Sequence, residues 1–434
     1  MLILFLFILF VFYYLFKYKE HFIVYIPLIT IIVDILPIFI TRFTYVEENF
    51  NIIILSYFRV FIFLALFAII FMKYKLPSKF NVIFILLLFL FIKPFFTVNP
   101  YTSFKVAISV ISFISLFIAG FIYFSRFENL SRLIKTIRIS LLLYFLNSVV
   151  FTVLKIGYDY YGDTIIFQGS MPLFSSYGVM YSILFLISQL DKLKKIDFIL
   201  ILLNISILIL LTKRTPVFLL IVGSIIIFRM NRNFYFKSKN IGNTVIFLLL
   251  SSLVVYYSIV ESSSRREEFT RLNVKEAPRY LEYIILYGEI VKSNNIVTAI
   301  LGKDLFVEKG RYGLNQDIMD VIKDQRRLHS DYAILLYGGG ILGLGLYFYI
   351  FIRLFRKYLF FTKITKFNSN LKAIFLAILI CLFVNGFVDS LTVATARAIP
   401  YLYLGGLLGT IYSLSSKSRN QLSSYKLTSL NYGN

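Results

Sequence analysis

The chain has 434 residues, 59% of them hydrophobic and only 15% charged, and its mean hydropathy is +0.81. A soluble domain cannot bury that much apolar surface, so the excess must face lipid. The formal charge of +23 does not point to nucleic acid, because the Lys and Arg residues sit in short loops between hydrophobic runs, the distribution of topogenic charge held near an anionic inner leaflet.

Apolar runs of about 20 residues, enough to cross a hydrocarbon core about 30 Å thick, recur along the chain. The first four lie at 1–16, 22–40, 50–71 and 80–96. No basic region precedes the first and no small-residue cleavage site follows it, so it reads as a retained span and not a cleaved signal. Asp34 and Arg59 fall near the middle of the second and third runs. Ionisable groups at that depth face a cavity or each other, which makes an Asp34–Arg59 pair one reading and a functional role another. Further runs lie at 103–124, 138–156, 172–189, 196–211, 215–229 and 241–259. After a polar insertion come 332–352, 371–390, with Asp389 at its end, and 398–414.

The expected fold class is therefore all-α: a polytopic integral membrane helical bundle of about 12–13 transmembrane helices with one large extracytoplasmic loop. Residues 1–259 and 332–414 hold the spans, 260–331 the loop, and 415–434 a polar tail that reads as unstructured.

Counting loops in order, the odd ones and the tail carry 25 basic residues. The even ones carry seven: Arg42, Lys93, Lys105, Lys155, Lys213, Arg214 and Arg397. That asymmetry places the odd loops and the C-terminus in the cytoplasm and the N-terminus outside. Residues 260–331, with 12 basic and 12 acidic residues, then lie outside. Within them Arg279, Tyr280, Tyr283 and Tyr287 recur at helical spacing, predicting two or three short amphipathic helices against the outer membrane face.

Few residues can carry chemistry. The lone cysteine, Cys381, excludes an intramolecular disulfide and a Cys-based metal site, and two histidines, His21 and His329, exclude a His-rich one. No metal or cofactor is expected. The segment Thr212-Lys213-Arg214-Thr215-Pro216 lies on the cation-poor side. Thr215 suits an N-cap and Pro216 a first helical turn, so a helix N-terminus would face outward beside two cations, a sound diphosphate site. A snorkelling pair is the alternative. At the loop's other end, Arg326-Arg327-Leu328-His329-Ser330-Asp331-Tyr332 abuts the next span. His329 can move a proton near neutral pH or, when charged, pair with phosphate; it can also be a lone surface histidine. The run Gly338-Gly339-Gly340, then Gly343 and Gly345, lets another backbone pack closely. Arg279 could bind substrate or pair locally with Glu282. The tyrosines could stack on sugar rings or form an interfacial belt.

The order, sidedness and spacing of these pieces resemble the O-antigen polymerase and O-antigen ligase family, most strongly over residues 196–350. Three pieces carry the resemblance: the basic motif Leu211-Thr212-Lys213-Arg214-Thr215-Pro216 opening a span; the Arg279-headed helix followed by the turn Leu301-Gly302-Lys303-Asp304; and His329 closing the loop ahead of Gly340. Asp304 departs from the pattern, since a second glycine is usual there. The resemblance implies a metal-independent, inverting glycosyltransferase of the cytoplasmic (inner) membrane. Its donor is an undecaprenyl-diphosphate-linked oligosaccharide. It implies Arg214 and Arg279 on the diphosphate, and His329 on the acceptor hydroxyl or the diphosphate. Lys213, Arg326, Arg327, Tyr280 and Tyr283 would bind substrate. Membrane lipid and a chain-length regulator protein are the partners it allows. A polymerase of repeat units is the expected activity, with a ligase to lipid A–core or a lipid-linked glycan flippase as alternatives. Flippases usually have short loops, so the large loop favours a transferase.

Overall fold

The computed structural model describes residues 2–41, 50–74, 80–97, 100–127, 129–153, 158–161, 164–167, 173–189, 194–210, 214–230, 283–293, 295–303, 330–364, 369–387 and 394–431. The described chain is helical apart from one hairpin. Helices α1 (Leu2–Tyr18), α2 (Ile26–Thr41), α3 (Phe50–Lys73), α4 (Asn81–Ile92), α5 (Pro100–Arg126) and α6 (Leu130–Val153) come first. Strands β1 (Tyr158–Tyr161) and β2 (Thr164–Phe167) pair antiparallel, Tyr158 opposite Phe167 and Tyr161 opposite Thr164. Then follow α7 (Leu173–Ile187), α8 (Lys195–Leu210), α9 (Arg214–Met230), the short α10 (Ile296–Leu301), α11 (Asp331–Ile364), α12 (Ser369–Asn385) and α13 (Ala394–Asn431).

The predicted spans within the described residues coincide with these helices, with differences at several ends, among them α11, which runs on to Ile364 past the predicted 352. The fold is helical as expected, with one short hairpin added: Tyr158-Asp159-Tyr160-Tyr161 and Thr164-Ile165-Ile166-Phe167 are rich in aromatic and β-branched residues, which favour strands. Helix α6 starts well before residue 138, so Arg132, Lys135 and Arg138 ride its first turns. Helix α13 runs on to Asn431 through the tail read as unstructured. Residues 401–431 hold no proline to stop it, so a helix nucleated in the bundle can propagate. The span at 241–259 and the residue Asp389 lie outside the described residues.

Three described helices are long and apolar enough to cross a membrane: Ser103–Arg126, Leu130–Val150 and Asp331–Phe360. Shorter apolar helices are Asn81–Phe96, Ser176–Ile187, Thr215–Met230 and Asn370–Asn385. Phe5, Phe10 and Leu88 are each 58% exposed on the bundle's outside. In water such a surface would aggregate; in lipid it needs no cover.

The interior is built on α5, whose apolar window is 83% buried. It packs against α13 with backbones nearly touching. A Cβ on Gly405 would strike the Phe117 carbonyl and one on Gly409 the Phe121 carbonyl, well inside contact distance. Two glycines four residues apart thus meet two carbonyls four residues apart, the small-residue packing that membrane helices use. Between α2 and α3, Arg59 Nη1 donates to Asp34 Oδ1 at 2.7 Å, both side chains buried. The pair read from the sequence is present.

Contacts between loops sort the bundle into two ends. At one end Glu20 bonds Lys73, the Arg126 guanidinium lies 4.4 Å from the Tyr74 ring centre, and His21 Nδ1 meets the Tyr123 hydroxyl at 2.9 Å. These residues come from the cation-rich odd loops. At the other end lie the edges of even loops, described next.

Candidate functional site

Helix α11 begins where the large loop ends. Ser330 caps it: the Ala333 N–H donates to Ser330 Oγ at 3.3 Å, and the Ile334 N–H to the Ser330 carbonyl at 2.9 Å. The Ser330 hydroxyl donates to the Gly386 carbonyl, 2.9 Å away at the end of α12. Tyr283, in the helical turn at 283–286 early in the loop, brings its hydroxyl to Ser330 Oγ and also to the Phe387 carbonyl, 3.4 Å away. The loop's early helix, the loop's exit and the end of α12 are therefore tied at one serine.

Immediately beside it lies a buried ion pair. Asp331 Oδ2 and Arg397 Nη2 stand 2.6 Å apart, with 1% and 0% of their side chains exposed. Asp331 is in the first turn of α11, where a carboxylate suits the helix dipole. Arg397 is near the N-terminus of α13, where a guanidinium does not. The carboxylate offsets what the dipole opposes. Below the pair, the Tyr347 and Tyr401 hydroxyls meet at 2.7 Å, and the Tyr332 hydroxyl donates to the Phe383 carbonyl at 2.5 Å. Such a pair, both partners out of water, adds little net stability against an apolar replacement of the same volume, but removing one partner is severe.

The glycine run packs as the sequence implied, and its partner is the loop turn. Gly340 (φ +61°, ψ −160°) breaks α11, and a Cβ there would meet the Ile300 carbonyl. Gly302 has φ +74°, and its Cβ would lie 2.6 Å from Gly340 N. At the break the Lys303 N–H donates to the Tyr337 carbonyl at 2.7 Å. Lys93 Nζ reaches the Gly302 carbonyl at 3.3 Å, and Lys303 Nζ reaches Glu289 Oε2 at 2.8 Å. The Leu301-Gly302-Lys303 turn is thus seated on the Gly338–Gly340 segment.

Helix α9 begins at Arg214, so Thr215 sits inside the first turn instead of capping it, while Pro216 falls in that turn as expected. Helices α9 and α12 run antiparallel: Met230 and Phe375 both touch Tyr358, and Cys381 Sγ donates to the Leu219 carbonyl at 3.3 Å. From that contact, five residues back along α9 and five forward along α12 both advance about 7.5 Å. Arg214, which opens α9, is then at the same end of the bundle as Gly386, the residue that holds Ser330.

Of the predicted site residues, Tyr283 is half-buried with its hydroxyl at the loop exit; Tyr287 is exposed, with Lys292 Nζ 5.7 Å from its ring centre. The side chain of Arg214, and Lys213, Arg279, Tyr280, Arg326, Arg327 and His329, lie outside the described residues. Of the predicted amphipathic loop helices, Tyr283–Val291 and α10 fall within them.

Sequence reading missed the Asp331–Arg397 pair. The signal was present: Arg397 and Lys93 are among the seven cations on the cation-poor side, and both are buried and spent on holding this end together. No family model and no curated protein matches the chain.

Proposed function

We propose that this chain is a polytopic membrane glycosyltransferase that polymerises undecaprenyl-diphosphate-linked oligosaccharide repeat units on the outer face of the cytoplasmic membrane. The observation that supports it is the Tyr283–Ser330–Gly386 tie. Arg279 precedes Tyr283 by four residues and His329 precedes Ser330 by one, so the tie draws together the two chain segments that carry them. The start of α9, which carries Arg214, lies at the same end of the bundle as that serine.

The chemistry asks for little more. The acceptor hydroxyl attacks the anomeric carbon of the donor from the face opposite the diphosphate. The new C–O bond forms as the bond to the diphosphate oxygen breaks, and the configuration inverts. The hydroxyl proton passes to His329 when the imidazole is neutral. Negative charge grows on the departing diphosphate, so Arg214 and Arg279 stabilise the transition state more than the ground state. Lys213, Arg326 and Arg327 add to the anion-binding surface, and Tyr280 and Tyr283 line the approach of the sugars.

The test is substitution. Arg214→Ala, Arg279→Ala and His329→Ala should each abolish long glycan chains while the protein remains in the membrane. Lys in place of either Arg should restore little, because an ammonium lacks the planar two-pronged donor. Normal chain-length ladders from all three Ala variants would falsify the assignment. Transfer by purified protein from a lipid-linked donor, with no membrane to cross, separates this reading from a flippase.

A further inference from the structure

At the cation-rich end of the bundle, opposite the site above, α4, α5, α11 and α13 enclose a pocket of about 200 Å³. Its wall is aromatic. Phe80 packs edge-on to Phe121 at 4.8 Å between ring centres, and Tyr412 tilts against Phe121 at 5.8 Å. Leu354 and Leu408 add apolar surface. Arg353 and Lys357, four residues apart and so on one face of α11, are its two cations, and no carboxylate is among the described residues that line it. Lys357 Nζ also lies 5.9 Å from the centre of the Phe360 ring, another lining residue.

We propose that this pocket binds one anionic phospholipid of the inner leaflet, with Arg353 and Lys357 on its phosphate and an acyl chain along Phe80, Phe121 and Tyr412. A free anion needs the cations but gains nothing from an aromatic wall. A zwitterionic lipid gains from the wall but carries a cation of its own towards Arg353 and Lys357. Only a lipid with net negative charge uses both halves. The positive-inside count sets this end against the leaflet where such lipids concentrate, and basic pockets between membrane helices on that side suit phosphate headgroups. Arg353 can grip two phosphate oxygens at once, while Lys357 supplies a point charge. The inference needs the chain to be embedded in a bilayer. It does not depend on the transferase reading, since the pocket shares no residue with that site.

The full chain, reconstituted in phosphatidylcholine nanodiscs, is titrated with phosphatidylglycerol, and retained lipid is read by native mass spectrometry alongside thermal stability. Phosphatidylglycerol should be retained in preference and should raise the Tm. Arg353→Gln with Lys357→Gln should lower that preference about tenfold, on the scale of losing charge-assisted bonds to one phosphate. Lys357→Gln alone, at the pocket rim where loss of folding is not expected, should lower it several-fold. Arg356→Gln, on the same helix but outside the pocket, should leave it unchanged. The proposal is overturned if the wild type shows no preference, or if the double variant and Lys357→Gln both keep it. Equal loss from Arg356→Gln would also overturn it, since that is diffuse attraction. Stabilisation by inorganic phosphate equal to that by phosphatidylglycerol would mark a soluble-anion site instead.

Discussion

The two ends of this bundle handle charge in opposite ways. At the cation-rich end, each pair buries its carboxylate but leaves its cation partly in water: Lys73 is about half exposed while it holds Glu20, and Arg138 reaches Asp197 at 2.5 Å with a quarter of its side chain exposed. At the loop-bearing end, Asp331 and Arg397 are sealed inside the protein. A pair whose cation stays hydrated is screened by water and costs less to lose than one sealed on both sides. A sealed pair next to a loop exit holds its neighbour in one arrangement, and here that neighbour is Ser330. The first end is built for topology and the second for position.

Breaking the sealed pair should have the largest effect. Asp331→Ala or Arg397→Ala leaves a buried charge unpaired and should cost about 3–5 kcal/mol, visible as a lower unfolding temperature and loss of monodisperse protein in detergent. Asp331→Leu combined with Arg397→Met should recover most of that loss. If the double variant is no better than the worse single one, the two residues are not acting as a pair.

Next comes the seat between loop turn and helix. Gly340→Ala forces a left-handed φ on a residue with a Cβ and pushes it into the Ile300 carbonyl, at about 1–3 kcal/mol. Gly345→Ala, on the same helix with nothing within 4 Å, should instead stabilise by about 0.5–1 kcal/mol. Equal effects at both positions would show that Gly302 does not sit on Gly340. Tyr283→Phe is smaller in stability, about 1 kcal/mol for one hydroxyl, but should shorten the glycan ladder, because it loosens the tie between the segments carrying Arg279 and His329. An unchanged ladder would detach Tyr283 from the proposed activity.

The smallest effect belongs to the other end. Burial alone would raise the Glu20 carboxyl, but the bond with Lys73, a backbone hydrogen bond and the Lys73 charge together outweigh this and leave it below the usual carboxylate range. A carboxyl lowered on folding stabilises above its unfolded pKa, and that contribution disappears as the pH falls through the lowered value. Glu20→Gln should therefore flatten a slight loss of stability in acid and change little near neutrality. A thermal melt series from neutral to acid pH measures it. A drop at neutral pH as large as that of Asp331→Ala would erase the contrast between the ends.

Much of this was legible from residues alone. Helices α8 and α9 were bounded to within a residue or two, because apolar runs flanked by Lys195 and Arg214 leave little choice of boundary. The Asp34–Arg59 pair was readable because a charge at mid-span has few places to go. The glycine contact was half readable: Gly338–Gly340 announced a close approach but not that Gly302 makes it. Gly405 and Gly409 were as visible as those glycines and went unread, although their spacing carries the packing of α5 on α13. The Ser330 tie was hidden, since a serine before an Asp reads as an ordinary helix start.

Hydropathy by itself determined that the chain forms helices apolar enough to cross a membrane, because burial in lipid is a property of each segment and needs no partner. Which charges meet was decided only by the tertiary structure. Asp331 and Arg397 lie on different helices, and nothing local tells either residue that the other will arrive. Their pairing comes from α11 and α13 packing together, as does the pocket where α13 meets α5.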